Sequence, residues 1–308
     1  MEEAQVRHIG TALLAAYVRA YHAMHDPPKI FDDLLGYSLI PEEWRALLEQ
    51  GLVSSLHLYD PELAASCPDQ ATALAQVMRA MAPGPPMTLG RSRYTEESLE
   101  KAVSQGVKQY VILGAGMDTF AFRRPDMLEQ LQMFEVDHPA TQTFKRRRLA
   151  ELGWEQPAQL HFVPVDFTQE SLAAALTRSS YDPQAPSFFS WLGVTYYLPR
   201  DAVFATLRAI TNVAPAGSAV IFDYLDTDAF VPERAAKRVQ VMLESFRQQG
   251  VPLITGFDPS TLTADLANLG LRLYEDLSPT DIQERYFQGR TDGYYACEHE
   301  HYAWIVVE

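Results

Sequence analysis

The chain has 308 residues, 47% of them hydrophobic and 21% charged, with a formal net charge of -15. That balance fits a globular fold with one large core plus appendages, and the excess of negative charge argues against nucleic acid as a partner. Its two cysteines, Cys67 and Cys297, are too isolated for a disulfide framework or a zinc motif, so a reducing cytoplasm is the expected compartment. No stretch reads as a membrane span, and the opening Met-Glu-Glu lacks the basic and apolar regions of a signal peptide.

The first 85 or so residues read as helical. Leu13, Leu14, Tyr17, Val18 and Tyr21 recur at helical spacing in 11–24, and Asp26-Pro-Pro28 stops that helix. A short segment near 30–35 follows, then a helix opened by Pro41-Glu-Glu-Trp44, with proline in the first turn. Residues 71–81 predict another helix. Pro83-Gly-Pro-Pro86 is expected to break the chain and end a helical N-terminal cap at about residue 88. A helix over 95–105 is then expected, with Thr95 at its N-cap.

From about residue 90 strands and helices alternate. Strands are expected at 110–113, 133–136, 161–165, 187–192, 218–224, 272–276 and 302–307. Helices are expected between most of them, at 141–151, 169–177, 200–213 and 260–269. Seven strands interleaved with helices predict an α/β, doubly wound, mostly parallel sheet in a second domain over 89–308. The connection 278–300 shows no clear helical period, so a hairpin return would make the last strand antiparallel. An insertion at about 226–256, helical over 232–249, is expected on the ligand side of the sheet.

The chemistry concentrates at the carboxyl ends of the first three strands. Tyr110-Val-Ile-Leu-Gly-Ala-Gly-Met-Asp-Thr119 ends an apolar run in a Gly-x-Gly turn; Asp137 ends the second strand and Asp166 the third. Open α/β sheets bind ligands at such ends. Glycine admits close backbone approach, and the two carboxylates suit a ribose diol and an adenine amino group, with Phe167 as a wall for the ring. A nicotinamide dinucleotide would need Gly or Ala where Thr119 stands, and Asp118 would repel its pyrophosphate. A phosphate-free adenosyl cofactor, S-adenosylmethionine, fits better. An NAD(P)-dependent oxidoreductase is the alternative reading.

These motifs resemble the leucine carboxyl methyltransferase family, in its bacterial branch of S-adenosylmethionine-dependent O-methyltransferases. The resemblance rests on Arg91-Ser-Arg-Tyr-Thr-Glu96, Leu113-Gly-Ala-Gly-Met-Asp-Thr119, Phe134-Glu-Val-Asp-His-Pro139 with Lys145, Val165-Asp-Phe167 and Tyr197-Leu-Pro199. Thr11-Ala12, Arg19-Ala20 and Phe31-Asp-Asp-Leu34 extend it toward the N-terminus. It implies a class I methyltransferase, Rossmann-like fold with the helical cap over the cofactor. It also implies an arginine ahead of the first strand that binds the methionine carboxylate. Arg93 and Arg91 both qualify, with a slight lean to Arg93. Gly114, Ala115 and Gly116 would line the methionine portion, Asp137 with His138 the ribose, and Asp166 with Phe167 the adenine. The family's Glu-Gly-Leu is replaced here by Leu192-Gly193-Val194. Recognition of the cofactor's amino group then falls to backbone carbonyls such as those of Gly114 or Leu192, or to another side chain. That loss also keeps open a non-catalytic, cofactor-binding role.

Methyl transfer to a carboxylate needs no general base, whereas a hydroxyl acceptor does. Tyr196, Tyr197 and Asp223 are the candidates for that work, followed by Thr195, Tyr224, His22 and His25. Lys145-Arg-Arg-Arg148 reads as a solvated helix face, and Cys297, His299 and His301 alternate along a strand without a second ligand cluster, so no metal is expected. The expected partner is a small-molecule methyl acceptor; no pattern encodes an oligomeric state.

Overall fold

The computed structural model describes residues 3–167 and 169–308, with side chains from Ile9 onward. Met1 and Glu2, part of the opening Met-Glu-Glu, lie outside the described residues. Seven strands form one sheet: β1 Gln109–Leu113, β2 Gln132–Asp137, β3 Leu160–Pro164, β4 Ser187–Trp191, β5 Ala219–Leu225, β6 Leu271–Leu277 and β7 Glu300–Val307. Their order is β3-β2-β1-β4-β5-β7-β6. The first five pair in parallel, and β7 runs antiparallel to both β5 and β6. This is the class I methyltransferase arrangement, and the antiparallel return is the one expected. Every residue of β1, β4 and β5 is buried, because helices cover both faces.

Order reverses between β3-β2-β1 and β4-β5, so the loops after β1 and β4 diverge and leave the switch point where doubly wound sheets hold ligands. One core, with Ile112, Phe188, Ile221 and Trp304 from the sheet, packs beneath helices Glu3–His25 and Gly84–Ser104. The other, with Val111, Phe189, Phe222 and Ile305, packs against helices Arg200–Val213 and Pro259–Ala267. The strict alternation of these residues is the two-residue period of the strand.

Three local expectations change. The helical cap segment does end before Pro83-Gly-Pro-Pro86, at Met81, but helix Gly84–Ser104 begins within that segment, eleven residues ahead of the expected start at 95, and Thr95 lies in its interior rather than at its N-cap. Pro85 and Pro86 sit in the first turn, where a missing N–H costs nothing. The inserted helix begins at Lys237 rather than 232. The connection 278–300 does carry helical turns: Pro279–Ile282, opened by a reciprocal Ser278–Asp281 capping box, and a π turn at Gln283–Phe287.

Candidate functional site

The glycine turn is built by the backbone. Gly114 and Gly116 have φ of 73° and 50°, a region L side chains avoid. A Cβ on Gly114 would lie 2.8 Å from Val194 of the loop after β4, and one on Gly116 would lie 3.0 Å from Ala12 of the first helix. Two distant segments therefore close directly on the turn. Arg19 fastens the cap to it, donating to the Met117 carbonyl (2.9 Å) and to Asp33 (2.8 Å).

Asp137, at the end of β2, braces the same turn. Its carboxylate accepts the Gly116 N–H at 2.5 Å and the His138 N–H at 2.6 Å. Burial pushes this carboxyl above its usual range, and those two backbone N–H groups pull it back. Each oxygen keeps a second lone pair for a ligand donor. His138 itself is an N-cap: its Nδ1 accepts the Ala140 N–H at 3.2 Å. Asp166 is half-buried at the end of β3, and Phe167 beside it is 55% exposed.

The two arginines separate. Arg93 is on the outer face of its helix, 51% exposed and paired with Glu97 at 2.6 Å. Arg91 points to the strand ends, where its Nη1 donates to the Tyr196 hydroxyl (2.8 Å) and to Asp223 (2.9 Å). Two positions along a helix is about 200° of rotation, so two such residues cannot share a face. Of the two, Arg91 and not the slightly favoured Arg93 faces the strand ends. A Cβ on Gly193 (φ 70°) would fall 2.5 Å from Arg91 Nη2, so this glycine lets the guanidinium lie on the loop after β4. Arg91 Nε and Nη2 make no hydrogen bond among the described residues. A buried guanidinium with donors to spare, between the glycine loops, fits an amino-acid carboxylate.

Leu192 leaves no carboxylate at the end of β4, but β5 supplies one. Asp223 is fully buried, and its Oδ1 accepts the Gly193 N–H at 2.7 Å while Oδ2 holds Arg91.

A model of the leucine carboxyl methyltransferase family matches residues 12–211. The chain belongs to that family. It is 36% identical over 307 residues to YktD of Bacillus subtilis (strain 168), assigned by name to the S-adenosyl-L-methionine-dependent methyltransferases, covering 96% of this chain and 97% of the relative. A Mycobacterium avium (strain 104) protein of the same assignment is 30% identical over 79% of this chain and 74% of its own. Among solved structures, a duf574 family protein from Streptomyces avermitilis shares the fold at TM-score 0.55 and 12% identity, covering 97% of both chains. A methyltransferase-like protein from Thermobifida fusca does so at TM-score 0.54 and 15% identity, over 84% of this chain and 97% of its own. The protein is therefore an S-adenosylmethionine-dependent methyltransferase, and the nicotinamide alternative falls.

For this family member the structure also sorts the catalytic candidates. Tyr196 and Asp223 meet Arg91. Thr195 is spent on the Asp223 carbonyl (2.6 Å), and Tyr224 on Asp276 (2.9 Å). Tyr197 packs edge-on against Tyr196 and touches Phe246 of the insertion. His22 is buried in the cap, accepting the Ile30 N–H at 2.8 Å, and His25 packs at a tilt against Tyr21. His299 and His301 flank Asp226 at 2.8 and 4.0 Å, whereas Cys297 belongs to a separate apolar cluster with Leu225 and Met242.

Two buried charged residues near the strand ends escaped the sequence reading. Lys145 is not on a solvated face: it is 1% exposed and pairs with Glu135 at 2.6 Å, pinning helix Pro139–Glu151 to β2 directly below Asp137. Burial pushes the Glu135 carboxyl up to about 7, against the pull of Lys145. Of the remaining basic run, Arg147 pairs with Glu151 on the surface, and Arg148 donates to the Ser38 and Leu39 carbonyls of the cap. Glu300, at the start of β7, is the second missed residue and is 1% exposed. A signal existed for the Lys145 pair: its partner Glu135 is a carboxylate inside the apolar run of β2.

Proposed function

We propose that this protein transfers a methyl group to an oxygen, a carboxylate or a hydroxyl, of a small molecule. The observation that supports the reading is the side-chain set at the β4–β5 end. Tyr196 and Asp223 gather oxygen functions around Arg91, beneath an apolar roof of Val239, Met242 and Leu253 from the insertion.

In this reading Arg91 holds the methionine carboxylate and the backbone of Gly114, Ala115 and Gly116 lines the methionine portion. Asp137 accepts from the ribose hydroxyls, and Asp166 with Phe167 receives the adenine. Asp223 takes over the carboxylate role vacated at Leu192. When bound, S-adenosylmethionine supplies an electrophilic methyl group for in-line displacement by the acceptor oxygen. The chain contributes alignment and water exclusion: Ala12 and Val194 close on the glycine turn, and the insertion covers the acceptor side.

The test is product analysis by mass spectrometry with isotopically labelled S-adenosylmethionine and a panel of phenols, alcohols, carboxylic acids and a peptide ending in leucine. An alkali-labile ester or an alkali-stable ether is the expected product. Methyl groups found only on nitrogen, carbon or sulfur would overturn the reading.

A further inference from the structure

The cap meets the glycine turn along one face of its first helix. Ala12, Ala16 and Arg19 stand at i, i+4 and i+7 of helix Glu3–His25, so they share that face. Ala12 packs on Gly116, and the Ala16 carbonyl comes so near Gly36 that a Cβ there would lie 2.9 Å from it. Arg19 reaches past the second glycine of the turn to the Met117 carbonyl at 2.9 Å. The turn is thus gripped by both kinds of backbone group: Asp137 takes the Gly116 N–H from the β2 side, and Arg19 takes the Met117 carbonyl from the cap side.

Asp33 aims Arg19. This carboxylate is fully buried; its Oδ2 accepts Arg19 Nε at 2.8 Å, and its Oδ1 accepts the Gly36 N–H at 3.0 Å. Arg123 Nε lies 3.9 Å from the same Oδ1, with its guanidinium over the Phe31 ring. The two terminal nitrogens of Arg123 donate to Glu96 of helix Gly84–Ser104. Burial alone would push the Asp33 carboxyl up; Arg19 and Arg123 outweigh it and hold it below the usual range. Asp33 is therefore an anion between two cations that reach different walls. Arg19 reaches the glycine turn, and Arg123, through Glu96, reaches the helix that presents Arg91. Stability does not require such a cluster, because apolar packing of the same volume is often at least as stable. What apolar packing could not supply is a planar fork with one nitrogen fixed by a carboxylate and another aimed at a carbonyl.

Resting on the reading that the glycine turn lines the methionine portion of the cofactor, we propose that Asp33 and Arg19 are positioning residues: Asp33 orients Arg19, and Arg19 sets the Met117 carbonyl so that the turn fits the amino-acid tail of S-adenosylmethionine. The cap then serves the cofactor through this one clamp, and not only as a cover.

The experiment uses calorimetry to compare S-adenosylhomocysteine with 5′-methylthioadenosine, which keeps the adenosine and the sulfur but lacks the amino-acid tail. The proteins are wild type, Asp33→Asn, Arg19→Met, Arg19→Lys and Arg148→Met. Arg148→Met is the control, since Arg148 also ties the cap to the sheet domain, through the Ser38 and Leu39 carbonyls, but makes no bond to the turn or to Asp33 among the described residues. Asp33→Asn and Arg19→Met should weaken S-adenosylhomocysteine roughly 10- to 100-fold, the scale of a lost hydrogen bond to a charged group. Both should leave 5′-methylthioadenosine within about twofold. Arg19→Lys, which keeps the charge, should recover part of the loss, and Arg148→Met should lower the urea midpoint with both affinities unchanged. Asp33→Asn keeps the shape of the side chain and an acceptor for Gly36, so the comparison survives if Arg19→Met does not fold. An equal loss for both ligands, a matching loss in Arg148→Met, or no loss in Asp33→Asn would overturn the inference. Asp137→Ala, measured alongside, separates this from the reading beneath it. If Asp137→Ala weakens both ligands while the Asp33 and Arg19 variants spare both, the clamp fails and the reading stands. If Asp137→Ala and Arg91→Lys also spare S-adenosylhomocysteine, the reading itself fails.

Discussion

The two halves of the sheet's carboxyl edge are built by different means. On the β1–β2 half, residues close in sequence do the work: a glycine turn, and a carboxylate 21 positions on that accepts the Gly116 N–H. On the β4–β5–β7 half, Arg91, Tyr196, Asp223 and Glu300 come from four segments, with 132 positions separating Arg91 from Asp223. The first half is shaped by backbone geometry, with two glycines at positive φ, which tolerates few variations. The second is assembled from side chains, which substitution can retune.

The comparison can be broken at its foundation. Replacing Glu135 with Leu would leave Lys145 charged and unpaired beneath the cofactor half, at a cost of about 3–5 kcal/mol. Urea unfolding is the check; a loss under about 1 kcal/mol would mean that the pair is not what holds helix Pro139–Glu151 on β2.

Next in size is Asp137→Ala. Losing a buried carboxylate that would receive two ribose hydroxyls should weaken S-adenosylhomocysteine binding by about 3 kcal/mol, over 100-fold, given ~1.5–3 kcal/mol for each charge-assisted bond. Calorimetry that returned wild-type affinity would remove the cofactor half from its assigned role. For Arg91→Lys the expected loss is smaller, about 1.5–2 kcal/mol, since the charge survives but the planar fork does not. An unchanged affinity there would detach Arg91 from the cofactor and give it wholly to the acceptor side.

The smallest effect sharpens the boundary. Arg93→Ala should change S-adenosylhomocysteine affinity and stability by less than about 0.5 kcal/mol, the range of ordinary surface substitutions. Two arginines two residues apart would then differ by a kilocalorie or more in one titration series. A cofactor defect in Arg93→Ala as large as that of Arg91→Lys would contradict the outward orientation.

Much of the fold was legible in the chain order because the strands carry their own evidence: apolar runs such as Tyr110–Leu113 and Phe188–Trp191 end at turn residues and alternate with helical periods. The segment Pro83–Pro86 shows the limit of that evidence: the chain does break there after Met81, but the same prolines also open the next helix at Gly84, which the sequence placed at 95. Lys145 shows another. Three neighbouring arginines gave it the look of a charged surface, and only the packing of its helix on β2 reveals that this one cation points inward. Glu300 escaped for a related reason: a single acidic residue at a strand start has no period, and its partners are set by β7 returning beside β5.

By itself, then, the sequence determined the sheet, its antiparallel last strand and the glycine turn with its carboxylate at the ends of β1 and β2. Those depend on hydrophobic periodicity and on glycine and carboxylate positions within one βαβ unit, all local along the chain. The tertiary structure alone decided which arginine faces the strand ends, that Asp223 joins that arginine to the Gly193 N–H of the loop after β4, and that Glu300 and Arg238 each keep a buried side-chain atom without a hydrogen-bond partner among the described residues. Those depend on helix rotation, strand order and side-chain direction, and elements far apart in the chain fix them only when they pack together.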